Sequence, residues 1–173
     1  MSKNGLTISL NEVLFYFTRA GFGVNASIGV SEDFARSNIW IAQNGFDPSE
    51  CSLLALDNLD SQTSSLSIQF EKTGDGSHLF CPEDKVLSAI EASVSCVDWL
   101  EFNGLDGDLK LTNVDSPLLV VSALGANQCT GIQASWTDKS NNHYEVNLKD
   151  DIEWEIISSS EAPIELSNYA DIH

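Results

Sequence analysis

Basic residues are scarce in this chain of 173 residues, in which 8 lysines and arginines accompany 26 aspartates and glutamates and give a formal net charge of −18. The bases are also dispersed, so no basic run exists that could neutralise consecutive phosphates. An anionic membrane surface repels such a chain for the same electrostatic reason. We therefore expect no nucleic-acid partner and no membrane partner. The acidic surface favours solubility and is compatible with a basic protein partner.

Cysteine pairs at metal-binding or redox spacing are absent. The four cysteines (Cys51, Cys81, Cys96 and Cys129) include no Cys-x-x-Cys pair. Long apolar segments are missing too. The longest strongly apolar run, 118–124, is far short of a membrane span, and the first residues lack an apolar stretch of signal-peptide length. These absences predict a cytoplasmic protein with reduced, unpaired thiols.

Familiar catalytic motifs are also lacking. The sequence contains no nucleophile elbow, no phosphate-binding loop and no zinc-protease helix motif. The glycines of 21–26 match the letters of a dinucleotide fingerprint, but that fingerprint requires a strand before it and a helix after it. A helix precedes 21–26 here, so we interpret the segment as a helix–helix connection and assign no cofactor-binding residue.

Helical signals dominate the first third of the chain, about 8–59. Ser9-Leu-Asn-Glu12 forms a capping box, in which the serine hydroxyl and the glutamate carboxylate each accept from a backbone N–H of the other residue. A second helix is predicted over 26–44, with Gly45 as its stop. A shorter third helix is predicted after Pro48.

From residue 64 the pattern changes to that of a mixed or β part, about 64–157. Alternation over 65–71 and turn residues over 73–77 predict a hairpin with 78–81. Residues 86–100 fit either a helix or a strand, and their length favours the helix. The apolar run 118–124 is read as a buried strand. Alternating segments near 132–137, 144–148 and 152–156 predict an antiparallel meander.

Together these patterns predict a single α+β domain over 1–173, with N-terminal helices followed by a mostly antiparallel β-sheet. Residues 158–173 are expected to form an acidic C-terminal tail. Edge strands and the tail's apolar residues are compatible with a homodimer that tightens as salt screens the like charges.

One segment offers a candidate chemical site. His78 and Cys81 form the only close His–Cys pair, and with Glu83 and Asp84 they could supply metal ligands near one turn. Alternatively, Cys81 could act as a nucleophile with His78 as its base and Asp98 as a nearby acid. Because 78 and 81 differ by three positions, a strand would point them to opposite faces, which favours a structural cysteine and a turn histidine instead.

Several short motifs resemble an uncharacterised bacterial family whose members start with a Ser-Leu-Asn-Glu capping box. The matching features are Ser9–Glu12, the glycines of 21–29, Phe80-Cys-Pro82 and Pro117-Leu-Leu119. The resemblance implies that the turn at Cys81-Pro82 is shared, and it supplies no activity.

Residues 7–47 are also similar to the N-terminal helices of the malate/L-lactate dehydrogenase family that lacks the classical Rossmann fold. That family carries an essential histidine in an Asp-Ser-His-Gly segment, where this chain has Asp47-Pro-Ser-Glu50. The resemblance therefore implies shared helix packing.

From these observations we expect a non-catalytic small-molecule-binding or accessory interaction protein of the bacterial cytoplasm. The alternative is an enzyme whose site gathers Cys81, His78 and nearby acids, with a metal as an optional component. The sequence identifies neither a cofactor nor a substrate.

Overall fold

The computed structural model describes residues 8–72, 74, 76–82, 85–103, 108–137, 142–148, 153–158 and 165–169. Within these ranges the fold is α+β, as predicted. The helices are α1 (Leu10–Gly23), α2 (Ile28–Gln43), α3 (Ser49–Asp60), α4 (Ala89–Asn103) and α5 (Pro117–Ala126). The strands are β1 (Ser64–Ser65), β2 (Gln69–Lys72), β3 (Gly76–Phe80), β4 (Val86–Leu87), β5 (Asp108–Thr112), β6 (Ile132–Thr137), β7 (Asn142–Leu148), β8 (Glu153–Ser158) and β9 (Glu165–Tyr169).

Helix α1 starts where the capping box predicts. Ser9 accepts from the backbone N–H of Glu12, and the Glu12 carboxylate accepts from the Ser9 backbone N–H at 2.7 Å. The helix packs against α2 through Phe17, whose ring meets Phe34 edge-on at 5.7 Å. At Gly21 the two helices approach closely, because an added Cβ would lie 3.2 Å from the Ser31 Cα. The 21–26 segment is thus a helix–helix connection, as the sequence analysis predicted.

The run 118–124 is a helix, so the prediction of a buried strand there was wrong. Pro117 occupies the first turn of α5, where its missing N–H costs no hydrogen bond. Residues 119–124 of α5 are all buried. The helix packs against α2 and α4, which surround it on more than one side. A helix covered in this way needs no polar face and loses the periodicity that would have identified it.

The main sheet has the order β2-β3-β5-β9-β6-β7-β8, in which β3 and β5 pair in parallel and all other neighbours pair antiparallel. The predicted hairpin is confirmed as β2–β3, and the predicted meander as β6–β7–β8. Alternate side chains of the sheet, including Leu79, Leu111 and Ala134, join the helices in one hydrophobic core.

Part of the expected C-terminal tail belongs to this sheet. Strand β9 pairs with β5 on one side and with β6 on the other. It therefore joins the strands β2, β3 and β5 to the β6–β7–β8 meander within one sheet.

A second, smaller parallel sheet lies where α4 and α5 begin. Strand β1 pairs with β4, and Leu87 of β4 bridges to Val114. Residues 86–100 thus contain a short strand followed by α4, in agreement with the favoured helical reading. None of the helices in the described part of the chain combines the length and apolar character required to cross a membrane.

Candidate functional site

His78 lies on the outer face of β3 and is engaged there. Its Nε2 shares a hydrogen bond of 2.7 Å with the Thr112 hydroxyl on neighbouring β5, and its ring stacks on Phe80 at 4.9 Å. The stacking and the hydrogen bond hold the imidazole against the sheet. The ring therefore has a structural role in the half-buried layer over β3 and β5.

Cys81 follows β3 directly and belongs to the other side of the sheet. Ser77 and Leu79, at the same parity, are buried, and Cys81 is a free, half-buried thiol that packs against the hydrophobic core. Strand alternation thus separates it from His78, as the spacing of three residues predicted. No disulfide joins any of the four cysteines, each of which is free.

The remaining candidates do not assemble around this pair. Asp98 is exposed on α4. Burial of Glu91 is the main cause that raises the pKa of Glu91, and the negative charge of Asp98 adds to it. Glu83 and Asp84 lie outside the described residues. In the parts of the chain that the structure describes, no three His, Cys, Asp or Glu side chains are grouped as a metal site requires.

The structure instead reveals a buried carboxyl group that sequence reasoning missed. Asp115 lies just before α5, at the carboxyl end of the small parallel sheet. Its backbone N–H donates to the Leu87 carbonyl at 3.1 Å, and its Oδ1 accepts from the Ala89 backbone N–H at 2.8 Å. Asp115 therefore caps α4 from a segment 26 residues away.

The other oxygen of this carboxyl group is buried without a partner. Neither Asp115 Oδ2 nor the Ser64 hydroxyl makes a hydrogen bond of ordinary length and angle. Burial raises the pKa of Asp115 to about 6, although the hydrogen bond from the Ala89 N–H and weaker polar contacts from the Ser64 and Asn58 side chains oppose the rise. A carboxyl group in this state exchanges its proton near neutral pH and can accept a hydrogen bond from a small donor.

The surroundings of Asp115 are polar and rich in hydroxyl groups. Three neighbouring serines are each at least 97% buried: Ser64, Ser88 and Ser116. Ser64 begins β1, Ser88 follows β4 and Ser116 precedes α5, and these three segments lie side by side. The sequence signal for the position was local: Asp-Ser-Pro is typical of a helix start. That signal predicts a cap for α5 and gives no indication that the carboxylate caps α4.

A second feature is an exposed aromatic face on α1. We call Glu12, Phe15, Arg19 and Phe22 the outer face of α1, since they lie opposite the side that packs on α2. Phe15 and Phe22 are 53% and 62% exposed. The Arg19 guanidinium carbon lies 5.2 Å above the Phe15 ring, a cation–π contact. Neighbouring Tyr16, 59% exposed, meets the Phe15 ring edge-on.

Comparison with known proteins identifies a likeness of fold. No protein-family model and no curated protein matches the chain. Among solved structures, the chain is similar to malate dehydrogenase from Pyrococcus horikoshii OT3, with a TM-score of 0.60 and 10% sequence identity. The match covers 94% of this chain and 53% of that chain, so this protein spans about half the length of the dehydrogenase. At this identity the likeness shows the fold alone.

Proposed function

We propose that this protein is a non-catalytic interaction domain of the bacterial cytoplasm, and that the outer face of α1 is its binding surface. The observation that carries the proposal is the exposure of Phe15, Tyr16 and Phe22 on one helix. Contiguous exposed apolar groups mark interaction sites, and aromatic residues together with arginine are enriched in them.

Within the described part of the chain, the imidazole and the thiol of the predicted site are engaged by the fold, which supports a non-catalytic role. His78 is held by Thr112 and Phe80, and Cys81 packs on the core. The likeness to malate dehydrogenase does not by itself support dehydrogenase activity, since the match spans about half of that enzyme. In addition, where the resembling dehydrogenase family carries its essential histidine in an Asp-Ser-His-Gly segment, this chain has Asp47-Pro-Ser-Glu50, which contains no histidine.

Affinity capture tests the proposal. Tagged wild-type protein, Phe22→Ser and Phe102→Ser are used to capture partners from bacterial lysate. Phe102 is 89% exposed at the end of α4, so its variant is a matched loss of one exposed phenylalanine elsewhere. We expect a protein that is retained by the wild type and by Phe102→Ser and is lost with Phe22→Ser. Identical retention by all three would contradict the assignment of α1.

The enzymatic alternative has its own test. A thermal-shift screen with Zn²⁺, Mn²⁺, Mg²⁺, nucleotides and common metabolites detects any ligand of the folded state. A ligand at a hundred times its Kd stabilises the fold by about 2.7 kcal/mol. Stabilisation by a metal ion that disappears in His78→Ala or Cys81→Ser would favour the enzyme over the interaction domain.

Small-molecule binding at Asp115 is a second candidate function, favoured by Oδ2 and the Ser64 hydroxyl, neither of which makes a hydrogen bond of ordinary geometry. A ligand there would donate a hydrogen bond to Asp115 Oδ2, and it could either accept from the Ser64 hydroxyl or donate to it. In the same screen, such a ligand should stabilise the wild type and should lose most of its effect in Ser64→Ala. An unchanged response in that variant would place the ligand elsewhere.

A further inference from the structure

The two long faces of α1 differ in what covers them. Val13, Phe17 and Gly21 recur at intervals of four residues and face α2. The outer face recurs at 12, 15, 19 and 22, intervals of three and four that keep it on one side of the helix. These intervals are those of a helix-pairing seam, in which one helix packs along another.

The charges on the outer face are unusual for this protein. Helix α1 contains one acid, Glu12, and one base, Arg19, so it carries no net charge in a chain with a net charge of −18. Two copies of so acidic a protein repel each other, and the repulsion is least where their contacting surfaces are neutral. Two α1 helices in contact therefore repel each other little, although the whole chains are both strongly acidic.

The order of these charges selects the orientation of such a pair. Glu12 lies in the first turn of α1 and Arg19 about two turns later. A parallel pair would place Glu12 beside Glu12 and Arg19 beside Arg19, which is repulsive at both ends. An antiparallel pair brings Glu12 within reach of Arg19 of the partner subunit at both ends, while Phe15 lies near the centre. The pattern is thus complementary to itself when it is reversed, as a two-fold interface requires.

Both charged groups are held in place by their own chain. The Glu12 carboxylate is fixed by hydrogen bonds of 2.7 Å and 2.8 Å from the Ser9 N–H and hydroxyl groups, and the backbone bond is the main cause of its lowered pKa. Arg19 is positioned over Phe15. Pre-positioned side chains lose less conformational entropy when they bind, which favours association.

We propose that the protein forms a homodimer in which the outer faces of two α1 helices pack antiparallel. The inference rests on the proposed function, since it names the partner of the same surface as a second copy of this chain. An interface made by one helix from each subunit is small, so the dimer should be weak and depend on concentration, with dissociation in roughly the micromolar range. Salt that screens the overall repulsion should strengthen it.

Sedimentation equilibrium tests the dimer. For the wild type at about 0.15 M salt, where the screening length is roughly 8 Å, we expect the mass to rise toward twice that of one chain as concentration increases. Phe15→Ser and Arg19→Glu should each weaken the dimer at least tenfold, and Phe102→Ser should leave it unchanged. Circular dichroism melts confirm that the variants are folded. A monomer at every concentration, or a dimer that is insensitive to Phe15→Ser and Arg19→Glu, overturns the proposal.

Cross-linking tests the orientation, with the wild type as the control for the native cysteines. Phe15→Cys lies near the centre of either pairing. At a protein concentration raised at least tenfold, to offset the weaker pairing without this ring, it should cross-link between subunits under mild oxidation. Phe22→Cys lies near one end, and in an antiparallel pair the two copies are at opposite ends and should not cross-link. Cross-linking at both positions would indicate a parallel pair and contradict the inference. A monomer that still captures an α1-dependent partner from lysate would overturn the dimer and leave the proposed interaction function standing.

Discussion

Replacing Asp115 by asparagine should stabilise the protein at neutral pH. In the folded chain, burial raises the pKa of Asp115 from the ordinary value of 3.8 to about 6. The folded state therefore binds a proton more tightly than the unfolded state, and this group destabilises the fold once it must ionise. Asparagine keeps an oxygen that can accept from the Ala89 N–H and removes the buried charge.

The magnitude follows from proton linkage. The rise from 3.8 to about 6 costs the fold up to about 3 kcal/mol of unfolding free energy. This loss is absent well below pH 3.8, grows as the pH increases through the range and is nearly complete above about pH 6. At pH 4.5 the same relation gives a loss of about 1 kcal/mol. The stability advantage of Asp115→Asn should therefore grow by about 2 kcal/mol between pH 4.5 and pH 7.5.

Urea unfolding of the wild type and of Asp115→Asn at several pH values measures this difference. Asp57→Asn is a matched control, because it also removes one negative charge but from an exposed position on α3. Its difference from the wild type should change little over the same range. An advantage of Asp115→Asn that is constant with pH, or no larger than that of the control, would refute the argument that burial governs the proton affinity of Asp115.

The other predictions concern packing, capping and thiol reactivity. Gly125→Ala should destabilise the fold by about 1–3 kcal/mol in denaturant melts, because an added Cβ would lie 2.3 Å from the Trp40 ring. Gly29→Ala is the control, since Gly29 is an open helical site where alanine should give a small gain in stability. Equal effects of the two substitutions would contradict the close packing at Gly125. Ser9→Ala should cost about 1 kcal/mol and Ser9→Gly a few tenths, whereas an unchanged midpoint for Ser9→Ala would argue against the capping box. Native Cys81 should resist iodoacetamide near pH 6.5 because it is half-buried against the core, and rapid native labelling would revive its role as a nucleophile.

The elements that the sequence predicted well are those whose signals are local. The capping box at Ser9 and Glu12 satisfies the helix end with groups three residues apart, so it can be read directly from the chain. The hairpin of β2 and β3 depends on a short turn, and the β6–β7–β8 meander depends on alternation within each strand. In each case the physical cause and the sequence signal lie in the same segment.

The errors and omissions have non-local causes. Helix α5 was mistaken for a strand because other helices bury it on more than one side, which removes the polar face that marks a helix. Strand β9 was expected to be tail because its partners, β5 and β6, lie far before it in the chain. No pattern within these two segments indicates that other helices cover α5 or that β9 pairs with distant strands.

The same distinction between local and non-local causes applies to the candidate site, which lies at Asp115 and α1 and not at His78 and Cys81. His78 and Cys81 are close in sequence, but strand alternation separates their side chains. The imidazole of His78 shares a hydrogen bond with Thr112, which is 34 residues away in the chain. The state of Asp115 depends on Ala89 and Ser64, which the small parallel sheet brings to it. Helix α1 is the converse case: its charged and aromatic residues were visible in the sequence. Only the packing against α2 shows which of its faces is covered, and so which face is available to a partner.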